Sequence, residues 1–430
     1  MQKEKIGGRM WTILILFGLI GQLAWTLENM YFNVFVYNVF GASSEWIATM
    51  VAASAATATV TTLLMGALSD RVGRRKPFIC AGYVLWGLTV CAFAFLSVEN
   101  LSAILPAASV GLVGSVLVII LDCIMTFFGS TANDAALNAY ITDRITPAQR
   151  GKTEGVLSIL PLLSMLIVFG GFDAMTVNGQ WKEFFLIFGV LTLLAGILGF
   201  FLIREPQATP NKNSSYFSDL FYGFRPSVMK ENVDLYLALA AFAVFSIAMQ
   251  VHYPYLIIYM QKYLNFDNYA LALGIVLIIA SLISVLAGRF MEKVGRMPFF
   301  IGAAAVLTLG LLLMYVTRAF WAVVAAGIVM MSGYLAVTAA GNAIVRDATP
   351  TGKAGMFQGI RMIFYVLIPM VTGPYIGAAV IAGSGQTYTE LGVVKQVPTP
   401  SIFLTAAACM LVLIVPVFFI LRRNNRHDGK

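Results

Sequence analysis

The stretch of sequence that decides the fold reads GALSDRVGRRKPF and runs from Gly66 to Phe78. A shorter copy, GRFMEKVGRMPF, runs from Gly288 to Phe299. With one residue deleted, it keeps the glycine, an acid followed by a base, Val-Gly-Arg and Pro-Phe in the same order. Each copy lies between two long apolar runs. Two related turns at equivalent points indicate a chain built from two related halves.

A second pair of related segments supports the same division. The segment from Asn138 to Pro147 recurs from Asn342 to Pro350, with its Asn-Ala, Asp and Thr-Pro in the same order. Two separate matches make chance a poor explanation. We therefore predict an N-terminal half at 1–203 and a C-terminal half at 233–430, joined by a proline-containing linker at 204–232.

The composition places this repeat in a membrane. Of the 430 residues, 59% are hydrophobic and 11% are charged, whereas a soluble domain carries about 25% charged residues. A soluble enzyme and a disordered chain are both disfavoured. A membrane helix needs about 20 apolar residues, and we predict an all-α integral membrane protein with twelve transmembrane helices. The predicted spans are 11–37, 45–68, 77–97, 108–137, 153–172, 184–203, 233–261, 269–288, 297–316, 319–342, 356–382 and 401–421.

The basic residues predict the orientation. If both termini lie on one side, 24 of the 28 Lys and Arg residues share that side. Cytoplasmic loops carry such an excess, so we predict a multi-pass protein of the cell (inner) membrane with both termini in the cytoplasm. The same distribution explains the net charge of +8 without a nucleic-acid partner. The basic residues on the other side are Lys182, Lys262, Arg318 and Lys395.

The motif at Gly66–Phe78 resembles the loop motif of the major facilitator superfamily, G-x-x-x-D-R-x-G-R-R-[KR]. Together with twelve spans and two parallel repeats, the resemblance covers the whole chain. It implies the major facilitator fold, two six-helix halves related by a pseudo-two-fold axis, and transport by alternating access. The ending Arg75-Lys76-Pro77-Phe78 and a polar first span resemble sucrose-type and glycoside–cation symporters of the melibiose-permease kind. The second span departs from that kind because it has no carboxylate, so a sodium site is not carried over.

The resemblance also implies gating roles for charged residues at the ends of the spans. A carboxylate there can accept charge-assisted hydrogen bonds from arginine and from a helix N-terminus. In the family, such a cluster latches the halves in one alternating state. The alternative is that the basic residues only follow the positive-inside rule. The gating candidates are Asp70, Arg71, Arg74, Arg75, Asp143 and Arg150 in the first half and Glu292, Arg296 and Asp347 in the second.

A polar stripe in the first span predicts a substrate cavity. Gln22, Thr26, Asn29 and Asn33 follow one another at helical spacing and lie within about 60° of one another around the axis. Trp25 flanks them. Amides pair with hydroxyls and an indole packs on ring C–H groups, which suits a sugar; hydrogen bonding between helices is the alternative. Further substrate-binding candidates are Thr126, Gln250, Tyr253, Tyr334, Thr338, Gln358 and Tyr365.

Ionisable residues within spans are costly and mark candidate ion pathways. Glu28 lies off the polar stripe, Asp122 lies in an apolar run, and Asp134 lies nearer the predicted cytoplasmic end. Glu28 and Asp122 could instead be partnered structural acids, and Asp134 could belong with Asn138 and Asp143 in the inner gate. His252 could relay protons or satisfy a backbone group released by Pro254.

These observations predict a secondary transporter, most simply a proton- or cation-coupled symporter of a sugar or glycoside. We expect a monomer with no enzymatic activity, no cofactor and no metal site, because neither an ATP-binding loop nor paired metal-ligand spacing occurs. The alternatives are efflux of amphipathic compounds by proton antiport, lipid flipping, and a non-transporting receptor or accessory subunit.

Overall fold

The structure is a computed structural model that describes residues 6–145, 153, 156–204, 222–350, 357–390 and 393–428. In this part of the chain, 11 helices are long and apolar enough to cross a membrane. The shorter apolar helix Leu160–Gly171 lies within the predicted fifth span. These helices confirm the prediction of an all-α membrane protein.

The spans are numbered here in chain order. In the first half, two short helices, Val98–Ser102 and Asp173–Val177, lie between spans. Spans 1 to 6 are Gly8–Phe40, Ser44–Val72, Lys76–Phe93, Ala107–Arg144, Leu160–Gly171 and Trp181–Leu202.

The second half begins with a 3-10 turn at Tyr222–Phe224 and a short helix at Pro226–Glu231. An antiparallel hairpin of β1, Thr387–Glu390, and β2, Val393–Gln396, lies between the last two spans. Spans 7 to 12 are Val233–Tyr263, Tyr269–Val294, Arg296–Val316, Phe320–Ala348, Gln358–Ser384 and the two helices Ser401–Leu411 and Ile414–Asp428.

Among the described residues, four spans contain segments with the wider π-helical hydrogen bonding. These segments are Leu27–Tyr31 in span 1, Ser130–Leu137 in span 4, Tyr259–Tyr263 in span 7 and Ile363–Leu367 in span 11. Such segments occur frequently at functional sites. They fall in spans that also carry most of the predicted substrate and coupling residues.

The chain forms two compact units. Unit 1 contains residues 1–42 and 56–214, and unit 2 contains residues 43–55 and 215–430. Span 2 is a single helix, yet its first residues group with unit 2. Sequence repetition alone did not predict this placement, and the boundaries at 203 and 233 stay a prediction.

Glycines bring helix backbones into close contact in both units. A Cβ on Gly87 in span 3 would lie 2.3 Å from the backbone nitrogen of Leu193 in span 6. In unit 2, a Cβ on Gly310 in span 9 would lie 2.3 Å from the Cα of Met330 in span 10. Small residues allow this close packing between membrane helices, so these glycines set the distance between neighbouring spans.

The repeated motif forms the same kind of turn in both units. Gly73 has φ of 69° and Gly295 has φ of 92°, values that residues with a Cβ rarely adopt. Each glycine ends one span and lets the next begin within a few residues. The glycine shared by the two copies is therefore explained by backbone geometry.

Candidate functional site

Two buried acids meet inside unit 1. The hydroxyl of Thr126 in span 4 lies 3.0 Å from Glu28 Oε1 in span 1 and donates a hydrogen bond to it. Asp122 lies one turn before Thr126, and its carboxyl interacts electrostatically with that of Glu28. Asp122 is 1% exposed and Glu28 is 8% exposed. The Thr126 hydrogen bond and the one-turn spacing place both acids in one buried cluster of spans 1 and 4.

Span 2 also contributes a polar contact beside this acid pair. Among the described residues, Asp122 Oδ1 has no hydrogen-bond partner. The thiol of the next residue, Cys123, is hydrogen bonded to Thr57 of span 2. Spans 1, 2 and 4 therefore contribute to one cluster, and Asp122 keeps an acceptor oxygen that a proton could occupy.

The predicted polar stripe of span 1 divides into two groups. Gln22, Trp25 and Asn29 are partly exposed, whereas Thr26 and Asn33 are 4% and 1% exposed. Thr26 lies 2.9 Å from the hydroxyl of Ser164 in span 5 and also donates to its own helix. The structure thus brings Gln22, Trp25 and Asn29 to an open face and uses Thr26 in a contact between helices.

An aromatic contact fixes the position of Trp25. Its ring centroid lies 4.9 Å from that of Trp86 in span 3, which is fully buried. Gly129 in span 4 lies beside both rings, and a Cβ there would come within 3.0 Å of Trp25. Asn29 donates its side-chain amide to the Trp25 carbonyl at 2.8 Å. Trp25 therefore sits in a defined orientation at the edge of the open face.

Asp134 belongs to a separate hydrogen-bond network. Its two carboxylate oxygens accept hydrogen bonds from Ser130 at 3.1 Å and from Asn133 at 3.2 Å. The hydroxyl of Tyr83 lies 3.0 Å from Asn133 Oδ1 and 2.7 Å from the Phe17 carbonyl. This network connects spans 1, 3 and 4. Two neutral donors satisfy Asp134 without a basic partner in the described contacts.

Several of the predicted binding residues of unit 2 are aromatic and pack against other rings. Tyr365 in span 11 stacks on Phe242 in span 7 with ring centroids 3.8 Å apart, and the Arg361 guanidinium lies 4.8 Å from the Tyr365 ring. Tyr334 in span 10 lies 5.7 Å from Phe245. Tyr365 is thus covered on its faces. The remaining predicted residues of this unit, Gln250, Tyr253 and Thr338, are partly exposed, and Gln358 is exposed.

His252 lies deeper than these residues. It is 1% exposed and its ring centroid lies 5.2 Å from that of Phe403 in span 12. Pro254 follows it, and residues 253–255 form a 3-10 turn that interrupts span 7. His252 is therefore buried at a break in the helix. Whether it relays protons or satisfies a backbone group released by Pro254 stays a prediction.

Charged residues at equivalent ends of the two units form ion pairs. Arg75 Nε lies 3.4 Å from Asp143 Oδ2 in unit 1, and Arg296 pairs with Asp347 in unit 2. Arg75 also donates to the hydroxyl of Ser69. Three of the predicted gating residues are exposed: Arg71 and Glu292 on helices, and Arg74 in the turn between spans 2 and 3. The side chain of Asp70, and Arg150 as a whole, lie outside the described residues.

Several residues of these sites were not predicted from the sequence. Ser164, Tyr83 and Trp86 are ordinary residues of apolar spans, and only the folded structure shows that they contact the predicted ones. Thr57 is one of several threonines in span 2. Its spacing could have indicated a polar face, but not its partner.

Comparison with known proteins identifies the family. The family model described as Major Facilitator Superfamily matches residues 13–336 and 269–430. No curated protein sequence matches the chain. Among solved structures, a mutant form of the nucleoside transporter NupG has a TM-score of 0.73 and 12% identity, covering 96% of this chain and 100% of that chain.

Two further structures show the same fold at low identity. A D-xylose-proton symporter has a TM-score of 0.70 and 15% identity, with 96% of each chain covered. A bacterial homolog of the human lysosomal transporter Spinster, in an inward-facing and unoccupied conformation, has a TM-score of 0.67 and 13% identity, covering 97% of this chain and 96% of that chain. The family match, the apolar helices and the repeated motif agree: this chain belongs to the Major Facilitator Superfamily of membrane transporters.

Proposed function

We propose that this transporter is a proton-coupled symporter of a sugar or glycoside. The observation that carries the proposal is the buried pair of Glu28 and Asp122, with Thr126 donating to Glu28. A buried carboxyl in a transporter can bind a proton when its surroundings are apolar and release it when water reaches it. Substrate binding on the same span can then be linked to the protonation state.

The open face beside the pair suits a hydroxyl-rich substrate. Gln22 and Asn29 offer amide groups, and Trp25 offers an indole edge held by Trp86. Amides make hydrogen bonds in both directions, which matches sugar hydroxyls. Because Glu28 precedes Asn29 directly in the π-helical segment Leu27–Tyr31, a change at the acid pair reaches the substrate face through one turn of backbone.

The orientation with both termini in the cytoplasm, the cell membrane location and the monomeric state belong to the same proposal. The charge distribution supports the orientation. The ion pairs Arg75–Asp143 and Arg296–Asp347 would then lie at the cytoplasmic ends of the two units and act in gating.

The decisive experiment is uptake into proteoliposomes. We would test labelled mono- and disaccharides, and labelled nucleosides because a nucleoside transporter shares the fold, with an inward proton gradient, a sodium gradient or neither. Saturable uptake of one sugar that requires the proton gradient is expected. Uptake driven only by sodium would overturn proton coupling, and transport of nucleosides alone would overturn the sugar assignment.

Asp122→Asn in the same vesicles tests the acid pair directly. This variant should lose gradient-driven accumulation and retain exchange of substrate for substrate, because exchange needs no net proton movement. Extrusion of lipophilic dyes, with no sugar moved, would instead identify the protein as an exporter.

A further inference from the structure

The start of span 2 is held by residues far away in the sequence. The hydroxyl of Ser44, the first residue of the span, lies 2.6 Å from Gln396 Oε1 in β2, and the Ser44 N–H lies 3.4 Å from the same oxygen. The first N–H groups of a helix have no partner within the helix. Gln396 therefore supplies a cap to span 2 from the hairpin between spans 11 and 12.

Span 7 and span 11 hold the same end of span 2. The Tyr255 hydroxyl lies 3.0 Å from the Ser44 carbonyl and 2.8 Å from the Pro374 carbonyl, so both accept from one O–H. The hydroxyls of Thr49 and Tyr375 lie 3.0 Å apart. Tyr255 follows Pro254, and Pro374 lies inside span 11, so these contacts sit where helices bend most readily.

The docked segment is well buried. Ile47, Ala48 and Met50 are at most 1% exposed, and residues 43–55 as a group belong to unit 2. The hairpin that caps them is itself anchored, because the Lys262 ammonium lies 5.2 Å from the Tyr388 ring and Lys395 is 6% exposed. A two-stranded hairpin alone is marginally stable in water, so these anchors give Gln396 a fixed position.

We infer that Gln396 and Tyr255 are positioning residues that latch the first turns of span 2. The same helix continues into unit 1, which carries the acid pair and the Gly66–Phe78 motif. The latch consists of neutral hydrogen bonds, which water can replace when the segment leaves. Its release during each transport cycle rests on the proposed function, because alternating access requires one half to move against the other. The latch itself does not rest on that proposal.

The latch is tested by labelling a buried reporter. The reporter is Met50→Cys, measured with a membrane-impermeant maleimide on protein in lipid nanodiscs, where both faces meet the reagent. Labelling of the native Cys80, Cys91, Cys123 and Cys409 in the parent chain is subtracted. Gln396→Leu and Tyr255→Phe should each increase the labelling rate by about three- to ten-fold, as expected for the loss of about one hydrogen bond.

Matched variants separate a latch from general damage. Gln396→Glu keeps an acceptor oxygen at the helix N-terminus and should label at the parent rate. Val394→Leu changes an exposed residue of the same strand and should also label at the parent rate. Parent-like labelling of both Gln396→Leu and Tyr255→Phe would overturn the latch. If Gln396→Leu fails to fold in a thermal melt, Tyr255→Phe decides the question.

The release step has its own test once a transported substrate is identified. Ser44→Cys together with Gln396→Cys would be joined by a short, reducible thiol crosslinker. Uptake should stop on crosslinking and return after reduction, while either single variant is unaffected by the reagent. Full uptake by fully crosslinked protein would overturn release during transport. The labelling experiment uses no sugar and no gradient, so its result stands whatever the substrate proves to be.

Discussion

The two units have similar turns and ion pairs at the ends of their spans, but different residues inside the spans. Both begin a span with a positive-φ glycine turn, Gly73 or Gly295, and both join an arginine to an aspartate near that turn. Inside, unit 1 has acids in spans 1 and 4, whereas spans 7 to 12 carry their acids only near the ends. The two units therefore combine the same turns with different side chains inside the spans: acids in unit 1 and none there in unit 2.

The packing differs as well. In unit 1 the closest glycine-mediated backbone contact joins spans 3 and 6, at Gly87. In unit 2 it joins spans 7 and 11, at Gly377, where a Cβ would lie 2.2 Å from the Val251 carbonyl oxygen. These are not equivalent pairs in the repeat. A fold can therefore keep its order of helices while the tight contacts move from one pair to another.

The largest expected effect on transport follows the replacement of Asp122, a buried acid of unit 1. Asp122→Asn should remove gradient-driven accumulation completely, because the amide cannot take up and release a proton at neutral pH. Uptake into proteoliposomes with and without a proton gradient measures this. Asp122→Glu, which keeps a carboxyl, should retain measurable accumulation; accumulation by the asparagine variant would show that the unit 1 acid is not the coupling group.

A smaller effect is expected from the hydrogen bond to Glu28. Thr126→Val removes the donor without changing the size of the side chain, and should lower the initial rate of proton-driven uptake by about tenfold, as for a bond to a charged group. Thr126→Ser keeps the hydroxyl and serves as the control. Equal rates for the valine and serine variants would mean that Thr126 only fills space.

Removing the ion pair at the end of either unit should have a similar, small effect on the rate of substrate exchange. Asp143→Asn and Asp347→Asn remove carboxylates whose side chains are 57% and 53% exposed. Since exposed ion pairs contribute up to about 1 kcal/mol, each variant should change the rate of substrate exchange by at most about five-fold. A large loss in one variant and none in the other would break the symmetry of the ends.

The smallest effect is expected in the interior of unit 2. His252→Phe replaces a buried ring that already lies against Phe403, and proton-driven accumulation should remain within about two-fold of the parent, a difference below 1 kcal/mol. The thermal melt of the detergent-solubilised protein checks that packing is kept. Loss of accumulation with an unchanged melting temperature would place His252 in the proton pathway. Both units would then contain a residue that binds and releases the proton.

Sequence periodicity and repetition predicted the larger features well. Lipid offers the backbone no hydrogen-bond partners, so spans are helical. A helix needs about 20 apolar residues to cross the hydrocarbon layer, so the spans could be recognised directly. The aspartate of the second repeated segment is ion paired in both units, and its role in gating stays a prediction. The partner in unit 1 is Arg75, one residue after the arginine that aligns with Arg296.

Side-chain contacts between helices could not be predicted from the sequence in the same way. A threonine facing a cavity and a threonine bonded to a neighbouring helix have the same spacing, so Thr26 could not be assigned to Ser164. The π-helical segment at Leu27–Tyr31 rotates the following residues relative to a regular helix. The hairpin that ends at Gln396 was unpredicted, because four-residue strands carry too little alternation to recognise.

The contact between Trp25 and Trp86 has an optical consequence. Two indoles with centroids 4.9 Å apart couple their ultraviolet transitions, and this coupling falls steeply as the rings separate or turn. Trp25 borders the open face of span 1, while Trp86 is fixed in the core. Any molecule that displaces Trp25 would alter the near-ultraviolet circular dichroism of the unlabelled protein. The chain thus contains its own spectroscopic reporter for occupancy of that face.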